Sequence, residues 1–343
     1  MALTRRTILG SVPFFFGLAV GCAASTNEIT AFTGLREITR SGTGNSRLPT
    51  ILVLMPDTPQ TREVWKGLTD ELSEGYCVIA VRIDHSSESI AVGEAIRVYQ
   101  PSALVLMNNP TLKAYKAYQA SGKAAKFPPA VVVMTSFLEG QVQGVANATG
   151  INYEIPLITV ITNLRRLLKL GSERVGVVVR EPLAAFVSKE VQLARREKIR
   201  VVTEFVSADA NASEIKRAIR RLKGEADVVW ILNDDRLLSP RLISEAWLPG
   251  LEERPWVPTI VGAGSLVLAE RALGTFAVLP DHVGLGAQAA SVLLDMADNG
   301  WTLDPGASVQ MPLSTTTTMD LGQVKERFVM RDGAMQQVDR VVE

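Results

Sequence analysis

An alternation runs from Ile51 to Val261 between short, continuously apolar segments and segments whose apolar residues recur at helical spacing, and it limits the chain to very few folds. Ile51–Met55, Cys77–Val81, Ala103–Met107 and Ala130–Met134 are apolar almost throughout. Strands with one wet face alternate polar and apolar, so these runs suit strands covered on both faces. After the first run, Val64, Leu68 and Leu72 share one helical face; helical spacing returns over Ser87–Tyr99 and Pro110–Ser121. Strands and helices in this order predict a parallel sheet with right-handed crossovers.

The series pauses at Val145–Pro156, VANATGINYEIP, which carries the turn formers Asn147, Gly150 and Pro156, and then starts again. Leu157, Ile161, Leu164 and Leu168 form a stripe opposite Arg165, Arg166 and Lys169, as on a helix flanking a sheet. Strands are expected at Val175–Val179, Arg200–Phe205, Ala226–Leu232, Pro258–Val261, Thr275–Leu279 and Val309–Leu313. Helices are expected near Leu183–Glu197, Ala212–Lys223, Pro240–Trp247, Val283–Asp298 and Leu321–Phe328. A chain of 343 residues exceeds what one core usually holds. The reading is therefore α/β: two Rossmann-like lobes with parallel sheets, 48–150 and 151–275, joined by a hinge, with 331–343 as a C-terminal tail.

The N-terminus reads as an address. Arg5 and Arg6 precede an apolar run, Ser11–Val20, too short for a permanent membrane span, and small residues follow at Gly21 and Cys22. Leu18-Ala19-Val20-Gly21-Cys22 resembles a bacterial lipobox, which implies a signal peptide over 1–22 and a lipidated Cys22; Thr4-Arg5-Arg6-Thr7-Ile8-Leu9 resembles a twin-arginine signal. An uncleaved short anchor is the alternative, and both place the body in the periplasm or cell envelope. Residues 23–47 are polar and rich in Gly, Ser and Thr, the composition of a flexible tether. Cys77 lies in an apolar strand and reads as an inert buried thiol.

Lys plus Arg and Asp plus Glu both total 36, and no helix carries a basic stripe, so nucleic acid is not an expected partner. The two histidines, His85 and His282, lack a second ligand at metal spacing, and no metal site or cofactor is expected. Gly262-Ala263-Gly264 is followed by Val267 where a dinucleotide fingerprint needs glycine, and Ser265 lacks a GxSxG setting, so an exported enzyme is the least supported class.

Open α/β sheets bind ligands at the carboxyl ends of their strands. The candidate ligand residues are therefore Asp57, Thr58, Asn108, Asn109, Thr135 and Ser136 in the first lobe, and Arg180, Glu181, Asn233, Asp235 and Ser265 in the second. Each is also an ordinary helix-capping type at such a loop, or one half of a solvated ion pair such as Arg180–Glu181.

The hinge motif Asn147-Ala148-Thr149-Gly150-Ile151, the run Arg174–Val179 and the segment Ala277–Gly286 resemble the type I periplasmic solute-binding proteins, in particular substrate-binding lipoproteins of ABC importers. The resemblance implies that 276–304 completes the first lobe and 305–330 the second, and that the lobes close over one small solute and present it to a permease. Asn233 matches a pocket asparagine of that family. Gly264 and Val278 stand where sugar binders carry polar residues, which disfavours a sugar. Arg180 with Glu181 could instead bracket an amino-acid-like zwitterion, as in members that bind aromatic amino acids, with Phe137 and Phe186 as the nearest aromatics. A sensor or accessory lipoprotein of the same fold remains the alternative to transport.

Overall fold

The computed structural model describes residues 35–42, 48–72, 75–122, 126–171, 173–268, 272–304 and 306–342. Cys22 and the signal-like segment lie outside the described residues.

The first sheet contains β1 (Glu37–Ser41), β2 (Thr50–Met55), β3 (Cys77–Arg82), β4 (Ala103–Met107), β5 (Ala130–Val133) and β6 (Ala148–Gly150), in the order β1-β3-β2-β4-β5-β6. All neighbours are parallel except β1 and β3. Alternation within each strand divides the core. Leu52 and Leu54 pack with α2 (Ser89–Tyr99), α3 (Asn109–Ala120) and α4 (Leu138–Val142), while Ile51, Val53 and Met55 face α1 (Pro59–Leu72). Both faces are dry, which is why these strands read as unbroken apolar runs.

The second sheet contains β7 (Arg174–Arg180), β8 (Arg200–Val206), β9 (Val228–Ile231), β10 (Thr259–Val261), β11 (Phe276–Pro280), β12 (Thr315–Asp320) and β13 (Arg340–Val342), in the order β13-β12-β11-β10-β9-β7-β8. Here α5 (Leu157–Leu167) and α6 (Ala184–Arg196) cover one face; α7 (Ala212–Glu225) and the helical segments from Pro240 to Glu252 cover the other. α8 (His282–Asp298) belongs to the first lobe, packed on α1. α9 (Leu321–Arg327) returns to the second.

The chain thus changes lobe three times: after β6, between β11 and α8, and between the Ile151–Gln310 bridge and β12. At the second passage Asp281 caps α8 by accepting from the amides of Val283 and Gly284. α8 and α1 approach closely at glycines. A Cβ on Gly286 would lie 2.1 Å from Val64 O, and one on Gly67 would lie 1.9 Å from Val283 O. Only glycine permits that backbone contact.

Three expectations need correction. Residues 37–41, read as tether, form β1, because Leu35 is buried and the Glu37 carboxylate accepts from Tyr99 Oη at 2.9 Å and from Arg40. The tail strand is Thr315–Asp320 rather than Val309–Leu313, and β13 extends it within 331–343. Threonines replace apolar residues there because hydrogen bonds satisfy them; Thr317 Oγ1 lies 2.8 Å from Asp339 Oδ2. Cys77 is buried in β3 as expected, but it is not a free thiol. No helix among the described residues is long and apolar enough to cross a membrane.

Candidate functional site

The strand ends of the two sheets face a common cleft with a cavity of about 680 Å3, lined from both lobes. That volume falls within the ~300–1,000 Å3 typical of small-molecule pockets.

The first-lobe wall is built by the loops after β4 and β5. Asn108 adopts φ 82° and its side chain accepts from the Thr111 amide, so it caps α3. The next residue, Asn109, turns into the cleft: its Oδ1 accepts from the Ser136 amide at 2.9 Å and from Gln141 Nε2 at 3.3 Å. Lys113, about one turn further along α3, also lines the cavity. After β5, Met134 and Phe137 both hold left-handed backbone (φ 56° and 53°), a costly geometry for side chains of this size. It turns the Phe137 amide toward the first passage, where it donates to Glu154 Oε2 at 2.8 Å.

Glu154 is the least satisfied charged group of the cleft. Its Oε1 is buried and has no hydrogen-bond partner within the protein. Burial raises its carboxyl to about 7, against the opposing pull of the Phe137 amide and the nearby Asn233 and Ser136 side chains. Asn233, at the end of β9, donates Nδ2 to Gly262 O at 2.9 Å, while its Oδ1 is also buried without a partner. With Glu154 ionised these two oxygens are acceptors without a donor, whereas the protonated carboxyl can offer its own O–H to Asn233 Oδ1. Buried polar groups are normally paired, so such a site fits a ligand that brings N–H groups.

The second-lobe wall carries Pro182, Leu183 and Phe186 at the start of α6. Phe186 meets Phe137 edge-on across the cleft, with ring centroids 5.0 Å apart. Lys189 Nζ bridges to Glu139 at 2.8 Å, and Lys113 approaches Asp235 at 3.8 Å; both pairs join opposite lobes. Glu190 Oε2 accepts from the Leu157 amide at 2.7 Å, fixing α6 against α5.

Of the residues singled out by sequence, Asn109, Arg180, Asn233 and Asp235 come together in this cavity. Arg180 does not pair with Glu181. Its guanidinium forks onto Asp234 with two 2.7 Å bonds, and Asp234 is 2% exposed, so proximity in sequence gave the wrong partner. Glu181 opens an exposed single turn, and Ser265 sits exposed in the turn Gly264–Leu266. Asp57 is held by Arg62 through bonds of 2.7 and 3.0 Å, and Thr58 exchanges hydrogen bonds with Thr61 at the start of α1. Thr135 is fully buried, and Ser136 donates its amide to Asn109 and sets its side chain near the Glu154 carboxyl. Glu154, Lys113, Gln141 and Lys189 were not anticipated. For Glu154 a signal existed: a lone acid in Tyr153-Glu154-Ile155-Pro156, inside the stretch read for its turns. Among the described residues no group of three or more His, Cys, Asp or Glu side chains could hold a metal ion.

No protein-family model matches the sequence, and comparison with curated proteins finds no match. Solved structures do match. A substrate-binding protein with adhesive properties from Clostridium difficile, in its ligand-free open form, aligns with TM-score 0.61 at 12% identity over 86% of this chain and 99% of its own. An ABC domain from Streptococcus pneumonia in complex with L-Trp aligns with TM-score 0.57 at 15% identity over 86% of this chain and 100% of its own. A conserved domain protein from Vibrio cholerae gives TM-score 0.54 at 15% identity, again over 86% of this chain and 100% of its own. The chain has the two-lobed α/β fold of the type I periplasmic and ABC substrate-binding proteins, as the hinge and strand motifs led us to expect.

Proposed function

We propose that this chain is an exported solute-binding lipoprotein that closes its lobes over a small amino-acid-like solute and delivers it to an ABC importer. The observation that carries the reading is the buried, unpartnered Oε1 of Glu154 beside the unpartnered Oδ1 of Asn233. An ammonium group supplies three N–H donors and a charge, which offsets the cost of ionising a buried carboxylate. Phe137, Leu183, Phe186 and Leu193 offer an apolar surface for the body of the solute. Sugar hydroxyls could donate to the same oxygens but would leave ionised Glu154 without a countercharge.

Calorimetric titration with three matched probes tests this: L-phenylalanine, phenethylamine and 3-phenylpropionate. The two amines are expected to bind and the acid without nitrogen to fail. Binding of 3-phenylpropionate alone would overturn the assignment. The lipoprotein element has its own test. Acylation commits the Cys22 sulfur to a thioether, whereas a bond between Cys22 and Cys77 excludes acylation. Acyl labelling of the parent and of Cys22→Ser, with intact mass under non-reducing conditions, separates the two; an unlabelled parent would remove the lipid anchor from the proposal.

A further inference from the structure

The sheet edges of this protein are unequally protected. β6 and β13 are three residues each, and β1 has an irregular register between Glu37 and Thr39. Short or bulged edges discourage a second strand. β8 has neither protection: seven residues, RVVTEFV, without proline, in unbroken register with β7 from Arg174–Arg200 to Arg180–Val206. It ends the sheet, and Phe205 on it is 60% exposed. The Arg200 amide donates to Glu173 O, so Arg200, Val202 and Glu204 turn their backbone groups toward β7. Val201, Thr203 and Phe205 then direct theirs away from β7, where no strand among the described residues pairs with them.

We propose that β8 docks against β8 of a second copy of this chain, antiparallel about a two-fold axis at Val202. In this register Val201 of one copy exchanges backbone hydrogen bonds with Thr203 of the other, and Phe205 comes to lie against Ile199. Arg200 stands opposite Glu204, and symmetry makes the pair twice. The two residues share a face because they are four apart on a strand. Glu204 is already oriented by Arg221 of α7, whose two hydrogen bonds both go to Oε2. A slip of the axis to Thr203 sets Glu204 against Val202 and Arg200 against Val206, so charges face apolar side chains and the register is lost. The strand's charge order is thus complementary to itself, which selects a second copy as occupant and an isologous interface.

Sedimentation of the full chain from low to high micromolar concentration tests the pairing. The average mass is expected to rise from that of one chain, 37.2 kDa before any removal of residues 1–22, toward twice the monomer value. Arg200→Glu, at an exposed position, sets like charges opposite each other and should weaken association at least about tenfold, whereas Arg200→Lys, which keeps the charge and leaves the Glu204–Arg221 pair intact, should retain it. Hydrogen exchange at the Val201, Thr203 and Phe205 amides should slow as the dimer forms. A monomer throughout, a dimer indifferent to Arg200→Glu, or a dimer without protection of those amides would each overturn the proposal. Loss of association in Arg200→Lys, in a chain that melts as the parent does, would overturn the register.

Discussion

Glu154→Gln should make the empty protein more stable and a worse binder at once. A carboxyl that titrates near 7 when folded and near 4.5 when unfolded holds its proton more tightly in the native state. Its contribution is therefore complete below pH 4.5, declines as pH rises, and is gone above about 7. At roughly 1.4 kcal/mol per pH unit, the ionised side chain costs the empty protein about 3 kcal/mol at pH 8. Glutamine removes the charge, keeps an acceptor for the Phe137 amide, and presents an N–H to the unpartnered Oδ1 of Asn233. Exchanging a charge-assisted hydrogen bond for a neutral one returns about 1 kcal/mol of that gain. The variant should be more stable by about 2 kcal/mol at pH 8 and similar to the parent at pH 4.5. Urea unfolding of both proteins at several pH values measures the difference directly. Phenethylamine affinity should fall in the same variant, because its ammonium loses the carboxylate. In the parent, affinity should climb as pH approaches 7, where Glu154 gives up its proton. Equal pH dependence of parent and variant, or a less stable variant at pH 8, would refute both the buried charge and its role.

Asn233→Ala should cost phenethylamine about one to two decades of affinity in calorimetry. Asp57→Ala should leave affinity unchanged, since Asp57 is engaged by Arg62 in a pair whose arginine is 64% exposed and whose worth is under about 1 kcal/mol. Arg180→Met, which strands the buried Asp234, should lower unfolding stability by about 3–5 kcal/mol, and a second change, Asp234→Asn, should recover part of it.

What the sequence revealed followed burial. Ile51–Met55 and Val175–Val179 are covered on both faces, so their runs were legible without any partner. β1 and β12 were not, because Glu37 and Thr317 satisfy their polarity through Tyr99 and Asp339, residues distant in sequence. The cleft divided similarly. Loops at strand ends were legible as a class, yet capping and ligand binding draw on the same side chains. Nothing local distinguishes Asn108, which caps α3, from Asn109, which enters the cavity. Glu154 acquires its chemistry from Phe137 and Asn233, brought near only by the fold.

The glycine contact between α1 and α8 bears on how fast such a protein can work. With Val64 O and Val283 O pressed against Gly286 and Gly67, the two helices cannot slide, and they move as one plate with the first sheet. Bending must then concentrate in the peptides just before His282 and in the other two passages. His282 sits at that boundary, its Nδ1 2.7 Å from Glu63 on the plate and its Nε2 3.0 Å from Tyr153 in the first passage. Two of the three passages are thereby tied to each other and to the plate. A solute entering the cleft has to wait until the Lys189–Glu139 and Lys113–Asp235 pairs and the Phe137–Phe186 contact part, so these three contacts act as a latch on the bending.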